Sequence, residues 1–185
     1  MISANVNQHG ITFSDTISKK MKDLLSQLFI LCLLLVFAVS NVEASRIIRE
    51  LPVFSRVYDT ERNPNADGRD ALKLAKETNR LVLIEVGGDW CGWCHTLDRF
   101  IKDHPEVESR LHQTFVVLKV NISDVNDNAE FMSAFPPAKG YPHMYITDNS
   151  GAILHSQDTA EFRENKEYSE RLFMAFFDHW QNDDK

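Results

Sequence analysis

The chain has 185 residues, a formal net charge of −7, and a composition that is 43% hydrophobic and 25% charged. This balance is typical of a globular protein and excludes a collagen-like, disordered or multi-span membrane protein. No basic run or stripe is present, so we expect no nucleic-acid partner.

The N-terminal segment has the features of an export signal. Three lysines within residues 19–22 precede twelve apolar residues, LFILCLLLVFAV at 28–39, and the small residue Ala44 follows. This order predicts a secretory signal over residues 1–44, with translation starting at Met1 or Met21 and cleavage near Ala44. We therefore expect a periplasmic or secreted protein. Retention of the segment as an N-terminal membrane anchor is the alternative, although the apolar run is shorter than the roughly 20 residues that span a bilayer.

Downstream of this signal, the sequence divides into an irregular lead-in over residues 45–66 and one domain over residues 67–185. The turn-forming stretch ERNPNADG, at 61–68, closes the lead-in. Helical spacing of apolar residues then predicts a helix over 69–80. The run LVLIEV, at 81–86, predicts a strand because it is rich in β-branched residues and two glycines follow it.

The remaining patterns alternate between helices and strands. In order, they predict a helix that begins at Cys91, a short helix over 104–113, a strand over 115–122, a short helix within 126–135, two hairpin strands over 143–147 and 152–157, and a C-terminal helix over 167–180. The apolar face of the last helix is expected to pack in the core; it holds Leu172, Phe173, Phe176, Phe177 and Trp180. A parallel start followed by an antiparallel hairpin predicts a mixed sheet covered by helices on both faces.

The candidate chemistry lies in GGDWCGWCHTLDRF, residues 87–100, which contains Cys91 and Cys94. Removal of Cys32 with the signal would leave these two as the only cysteines. A structural zinc site normally needs four ligands. The chain has neither a second cysteine pair nor two closely spaced histidines, so we expect no metal.

Two other chemistries use the same cysteine spacing. Cys91 to His95 also matches the attachment pattern of c-type haem, in which His95 would be the proximal ligand and Met132 or Met144 the distal one. The second chemistry is thiol–disulfide exchange, which the preceding strand and the expected helix favour.

A cysteine in the first turn of a helix lies near unsatisfied backbone N–H groups and the positive end of the helix dipole. Both features stabilise the thiolate, which is the nucleophile in exchange. The spacing places Cys94 one helical turn beyond Cys91, where it can attack a mixed disulfide and release the substrate. We expect Cys91 to be the exposed attacking thiol and Cys94 the more buried resolving thiol.

Three stretches in order, at 71–100, 104–122 and 140–151, resemble exported bacterial proteins of the thioredoxin superfamily. They read ALKLAKETNRLVLIEVGGDWCGWCHTLDRF, HPEVESRLHQTFVVLKVNI and GYPHMYITDNSG. The likeness covers about residues 57–155 of the chain. It implies an α/β, thioredoxin-like fold whose central mixed sheet is flanked by helices on both faces. It also implies a redox-active Cys91–Cys94 disulfide that works without a cofactor.

The resemblance extends to charged residues near the cysteines. Glu85, six positions before Cys91, matches the buried acid that exchanges a proton with the resolving thiol, and Lys119 matches its basic neighbour in the next central strand. Thioredoxins have aspartate at the position of Glu85, so the geometry differs in this chain. The apolar neighbours of Glu85 predict its burial, which raises the pKa of a carboxyl group.

The resemblance also implies a substrate surface. Pro142 matches the cis-proline that faces the cysteines, and the backbone of Tyr141 would pair with a substrate chain. Trp90 and the dipeptide Gly92-Trp93 complete this surface. That dipeptide matches neither the Gly-Pro of thioredoxin nor the Pro-His of a strong bacterial oxidant.

These features predict an exported, monomeric thiol–disulfide oxidoreductase that acts on protein thiols and disulfides, with the reducing direction preferred. Because the periplasm is kept oxidising, a reductase there implies a membrane-bound electron donor. The alternatives are a disulfide-forming oxidase, which would pass electrons to a membrane-bound acceptor, a thioredoxin-fold binding module without turnover, and a c-type haem protein.

Overall fold

The computed structural model describes residues 21–22, 24–31 and 51–182. The chain divides into two units, Met1–Glu43 and Ala44–Lys185. In the first unit, residues 21–22 and 24–31 are helical and exposed. Among the described residues, no helix combines the length and apolar character needed to cross a membrane. The predicted cleavage position at Ala44 lies outside the described residues.

A four-stranded mixed sheet forms the centre of the second unit. Its strands are β1 (Leu81–Gly87), β2 (Phe115–Asn121), β3 (His143–Thr147) and β4 (Ile153–Asp158), in the spatial order β2-β1-β3-β4. β1 pairs with β2 in parallel and with β3 antiparallel, and β3 pairs antiparallel with β4. β1 and β2 are nearly continuous apolar runs because both of their faces are covered.

The helices cover both faces of this sheet, which confirms the predicted architecture. They are α1 (Pro64–Thr78), α2 (Gly92–Asp103), α3 (Pro105–Thr114), α4 (Ala129–Met132) and α5 (Glu170–Asn182). One core joins the sheet to α2, α3 and α5, and a second joins it to α1. Alternate residues of β1 point to opposite faces. Leu83 faces the first core and Val82 and Ile84 face the second, so Glu85 projects to the face that α2 covers.

Two element boundaries differ from the sequence-based expectation by more than two residues. α1 begins at Pro64 rather than residue 69, because the side chain of Asn63 accepts a hydrogen bond from the Ala66 amide at 3.0 Å and caps the helix. At the other end, Glu167 and Tyr168 are not helical. They form a strand, β6 (Glu167–Tyr168), that pairs with β5 (Arg163–Glu164).

This added hairpin has a local cause. Asn165 and Lys166, which join β5 to β6, have φ angles of 51° and 69°. Two consecutive positive φ values are characteristic of the tight turns that match the twist of an antiparallel pair. The apolar periodicity of α5 gave no indication of where the hairpin ends and the helix begins.

The lead-in is attached to the sheet. Phe54, Ser55 and Tyr58 are buried, and residues 53–55 form a short 3₁₀ helix. Ser55 Oγ donates a hydrogen bond to the Val117 carbonyl oxygen at 2.5 Å. The lead-in is therefore structurally part of the domain, with side chains that reach the sheet.

Candidate active site

Cys91 is the N-cap residue of α2 and forms a disulfide with Cys94. Its backbone is extended, with φ −91° and ψ 105°, and the Cys94 amide lies 3.1 Å from Cys91 Sγ. The Cys91 sulfur therefore lies at the positive end of the helix, where backbone N–H groups stabilise a thiolate. The expectation that Cys91 is exposed is wrong in degree, because only 4% of its surface is accessible, against 0% for Cys94.

A tyrosine from outside the cysteine motif is buried together with the two cysteines. Tyr58, Cys91 and Cys94 form a separate buried cluster next to the two main cores. The tyrosine comes from the lead-in, and no local sequence pattern marks it as part of the site. Cys91 is still the more exposed of the two cysteines, which is the order expected for an attacking and a resolving thiol.

An aromatic pair borders the disulfide on its exposed side. Trp90 is 58% exposed and Tyr141 is 37% exposed, and their rings meet edge to face with centroids 5.5 Å apart. Trp90 Nε1 donates a hydrogen bond to the Ile122 carbonyl oxygen at 2.5 Å, which fixes the ring. The contact brings the loop before β3 next to the residue that precedes Cys91.

The Tyr141–Pro142 peptide bond in that loop is cis. The Pro142 carbonyl oxygen accepts a hydrogen bond from Thr159 Oγ1 at 2.6 Å, so the loop is held from behind by the segment after β4. Pro142 is buried and Tyr141 is partly exposed, so Tyr141 is the accessible residue of this cis pair.

Trp93 occupies the other side of the disulfide, where the β5–β6 hairpin packs against it. The Arg163 guanidinium lies 4.3 Å from the centroid of the Trp93 ring, and Tyr168 meets the same ring edge to face at 6.0 Å. A groove of about 630 Å³ starts at Gly92 and Trp93 and runs along α2 beside this hairpin.

Glu85 is linked through Tyr58 to the cluster that holds the two cysteines. It is 1% exposed and is the register partner of Lys119 across the parallel β1–β2 pair. Lys119 Nζ lies 3.5 Å from Glu85 Oε1, and the same oxygen accepts a hydrogen bond from the Tyr58 hydroxyl. Lys119 also forms an ion pair with Asp98 of α2. The structure thus brings Glu85 and Lys119 together and adds two partners, Tyr58 and Asp98.

The protonation of this group follows from burial and from mutual contacts. Burial raises the pKa of Glu85 above its ordinary value, and the nearby Lys119 ammonium opposes this rise. Burial alone would lower the pKa of Lys119, but the Glu85 and Asp98 carboxylates outweigh that effect and raise it. Lys119 therefore remains a cation, and Glu85 is a carboxyl group whose proton affinity is higher than in water.

The two added partners differ in how far sequence alone could have indicated them. Asp98 lies four residues after Cys94, a spacing that places both on the same face of a helix. Tyr58 carries no such signal, because its contact with Glu85 joins residues 27 positions apart. His95 is not part of this buried group. It is exposed, and its Nε2 lies 2.7 Å from the Asp89 carbonyl oxygen.

Comparisons with known proteins agree with this geometry. A family model described as thioredoxin-like matches residues 63–149. The structure of a disulphide isomerase from Xylella fastidiosa Temecula1 aligns with a TM-score of 0.57 at 21% identity, over 66% of this chain and 94% of that one. The protein therefore has a thioredoxin-like fold. This fold and the family-model match support a thiol–disulfide oxidoreductase in general terms.

Two further relatives of this thioredoxin-like chain differ in coverage. The oxidised C-terminal domain of DsbD from Neisseria meningitidis aligns with a TM-score of 0.51 at 12% identity, over 66% of this chain and 99% of that domain. The uncharacterized protein B0495.5 of Caenorhabditis elegans is 28% identical over 68 residues, which is 37% of this chain and 9% of that protein. The chain therefore matches only a small part of this curated relative.

Proposed function

We propose that the protein is a thiol–disulfide oxidoreductase that reduces disulfides in other proteins. One observation carries the proposal: Cys91 caps α2 and is disulfide-bonded to Cys94, which is fully buried. This arrangement makes the two sulfurs chemically unequal. One can react with a partner from the surface, and the other can react only with its neighbour.

The reducing reaction has two steps. In the first, the Cys91 thiolate attacks a substrate disulfide, forms a mixed disulfide and releases one substrate thiolate. In the second, Cys94 loses its proton and attacks Cys91 Sγ, which releases the second substrate thiolate and restores the Cys91–Cys94 disulfide. The substrate gains two electrons and, from solvent and the enzyme, two protons.

We place Glu85 and Lys119 in the second step. The Glu85 carboxylate is the base that takes the Cys94 proton, because burial raises its pKa and therefore its affinity for a proton. Lys119 offsets the negative charge when Glu85 is ionised. The half-exposed carboxylate of Asp98 then keeps the Lys119 charge partnered when Glu85 becomes neutral.

We place substrate binding on the exposed side of the disulfide. Trp90, Tyr141 and Trp93 offer partly exposed rings on either side of Cys91, with Gly92 between the cysteines and cis-Pro142 shaping the adjoining loop. An extended substrate chain would pair with the backbone at Tyr141 and lay its apolar side chains on these rings.

We further propose that the protein works as a monomer outside the cytoplasm after cleavage near Ala44, and that a membrane-bound partner returns it to the dithiol form. The measurement that decides the direction is the reduction potential of the Cys91–Cys94 pair. A reduction potential of about −270 mV would support a reductase, and one of about −120 mV would make the protein an oxidase.

Reduction of insulin with dithiothreitol as the electron source tests the activity itself. We expect the wild type to accelerate insulin precipitation well above the rate with dithiothreitol alone, and Cys91→Ser to remove the acceleration. A wild-type rate equal to that of Cys91→Ser would overturn the proposal. That result would favour a binding module that keeps the fold without turnover.

A further inference from the structure

The Tyr58 side chain links the buried acid to the cluster that holds the two cysteines. It donates a hydrogen bond to Glu85 Oε1, and the tyrosine side chain packs in one cluster with Cys91 and Cys94. The hydroxyl oxygen still has a lone pair with which to accept a proton. Tyr58 is thus hydrogen-bonded to the acid and packed in the cluster of the cysteines, the two groups between which the proposed second step moves a proton.

The surroundings of Gly87 show independently that Tyr58 and Cys94 lie near one another. A Cβ atom added to Gly87 would lie 2.6 Å from Cys94 Sγ and 2.9 Å from Tyr58 Oη. The two atoms therefore adjoin a single point beside the end of β1. A residue without a side chain at position 87 leaves the space that lets them approach one another.

Contacts on both sides of Tyr58 hold it in this place. Ser55 Oγ donates to the Val117 carbonyl oxygen at 2.5 Å, and Asn126 Nδ2 donates to the Thr60 carbonyl oxygen at 2.9 Å. Lys119 Nζ lies 4.8 Å from the centroid of the Tyr58 ring. Burial, followed by the nearby Glu85 carboxylate, raises the pKa of Tyr58 well above its ordinary value, so the hydroxyl keeps its proton.

We propose that Tyr58 relays the proton between Cys94 and Glu85 in the resolving step. Tyr58 Oη accepts the proton of the Cys94 thiol while its own proton passes to the Glu85 carboxylate. The net change is a Cys94 thiolate, a neutral Glu85 carboxyl group and an unchanged phenol. The Cys94 thiolate then attacks Cys91 Sγ. This inference rests on the proposed function and adds a residue that lies before the segment matched by the family model, which begins at residue 63.

The charged surroundings of Glu85 are consistent with a proton that leaves on the side away from the disulfide. Lys119 of β2 and Asp98 of α2 face the carboxyl group, and a cavity of about 330 Å³ adjoins all three residues. The other titratable groups that line this cavity are Arg56, Lys102, Glu108 and His112. Among these lining residues, only Glu85 is also hydrogen-bonded to Tyr58.

The two exchange steps can be separated with the chromogenic disulfide 5,5′-dithiobis(2-nitrobenzoate). One equivalent added to the reduced protein releases a first coloured thiolate when Cys91 attacks and a second when Cys94 resolves the mixed disulfide. In Tyr58→Phe we expect the first phase to keep its rate within about twofold and the second to slow by about 10-fold to 100-fold. Tyr145→Phe is the matched control. It removes a buried hydroxyl that donates to the Pro136 carbonyl oxygen at 2.7 Å, and both phases should be unchanged.

A pH profile and a double variant distinguish a relay from a structural role. Loss of the hydrogen bond from Tyr58 destabilises the Glu85 carboxylate, so the midpoint of the second phase should move to higher pH by about 1 to 2 units. Adding Tyr58→Phe to Glu85→Gln should slow the second phase no further, because the relay has already lost its acceptor. Multiplicative slowing, an unmoved midpoint or a wild-type second phase in Tyr58→Phe would overturn the relay.

A measurement on the wild type keeps the proposal testable if Tyr58→Phe does not fold. The second phase is followed in mixtures of H₂O and D₂O: two protons moving together give a curved dependence of rate on deuterium fraction, and a linear dependence would overturn the relay. Failure of the proposed function has a different signature, namely a wild-type protein that releases no second thiolate at all.

Discussion

The disulfide separates two regions of opposite character. The outer region, formed by Trp90, Trp93 and Tyr141, consists of partly exposed rings and carries no charge of its own. The inner region, centred on Tyr58 and Glu85, is buried and consists of an acid, a phenol and an ammonium group that are all partnered. The proposed function places substrate recognition and proton transfer on different sides of the same two sulfurs. Changes outside should therefore alter KM, and changes inside should alter rate and pH dependence.

The largest expected effect concerns the cysteines, because each belongs to one region. Cys94→Ser should accumulate mixed disulfides with protein substrates on Cys91, since the resolving attack is lost, whereas Cys91→Ser should trap almost none. Non-reducing electrophoresis followed by mass spectrometry detects these mixed disulfides directly. Alkylation of the reduced wild type near neutral pH should likewise modify Cys91 first. Equal trapping by both variants would mean that the two sulfurs are equivalent.

The next prediction concerns His112, which lines the same cavity as Glu85. Its titration reports how poorly the inner region stabilises a buried charge. Burial, aided by Arg80 and Lys119, lowers the pKa of His112 from 6.5 to about 4. Below pH 6.5 the unfolded chain therefore binds a proton that the folded chain does not. Stability should fall as the pH drops from about 6.5 to about 4, by about 3 kcal/mol in total.

Urea unfolding of wild type and His112→Gln across this range measures the effect. The variant should show a flatter dependence of unfolding free energy on pH, since its side chain does not titrate. If the unfolding free energy of both proteins depended on pH with the same slope, the cavity would stabilise a charge as well as water does. The inner and outer regions would then differ less in polarity than the burial of their side chains indicates.

A smaller effect is expected from the acid of the inner region. Glu85→Gln keeps the approximate shape but removes the titrating group, so it should slow the resolving step by about 10-fold to 100-fold and flatten its pH dependence. Asp98→Asn is the matched control, because it also removes a carboxylate that pairs with Lys119 but lies partly at the surface. It should slow the step by less than about fivefold.

Single-turnover exchange from mildly acidic to mildly alkaline pH compares these two variants. If the rate of the resolving step had the same pH dependence in wild type and Glu85→Gln, Glu85 would have no part in proton transfer. Thermal unfolding under the same conditions checks that both variants fold, since removing Glu85 leaves the buried Lys119 with Asp98 as its remaining ion-pair partner.

The smallest effect belongs to the outer region. Trp90→Ala removes one ring of the pair with Tyr141, a contact of the kind worth about 0.5–1.5 kcal/mol. We expect KM for a disulfide-containing peptide to rise by about twofold to 10-fold while kcat changes little. Leu154→Ala on β4 is the control, an exposed apolar side chain that is not part of the aromatic surface. A loss confined to kcat in Trp90→Ala would mean that the outer region takes part in the chemistry.

Much of the scaffold could be predicted because its signals are local. The run LVLIEV identifies β1, and the spacing of Cys91 and Cys94 together with the expected helix start predicts the cap of α2. Boundaries were predicted less well. Asn63 is predicted to be a turn residue but caps α1, and no element is predicted at Asn165 and Lys166, because the helical pattern of α5 begins only after them.

The sequence alone determined the order of the main helices and the four strands of the central sheet, the position of the two sulfurs and the presence of an acid in an apolar strand. These features depend on residues within a few positions of one another. Only the tertiary structure decided which side chains surround that acid. The contact of Tyr58 with Glu85 spans 27 residues and that of Lys119 with Asp98 spans 21. Such contacts arise from the way the lead-in, β2 and α2 pack around β1, and no local pattern of hydrophobic or turn-forming residues encodes them.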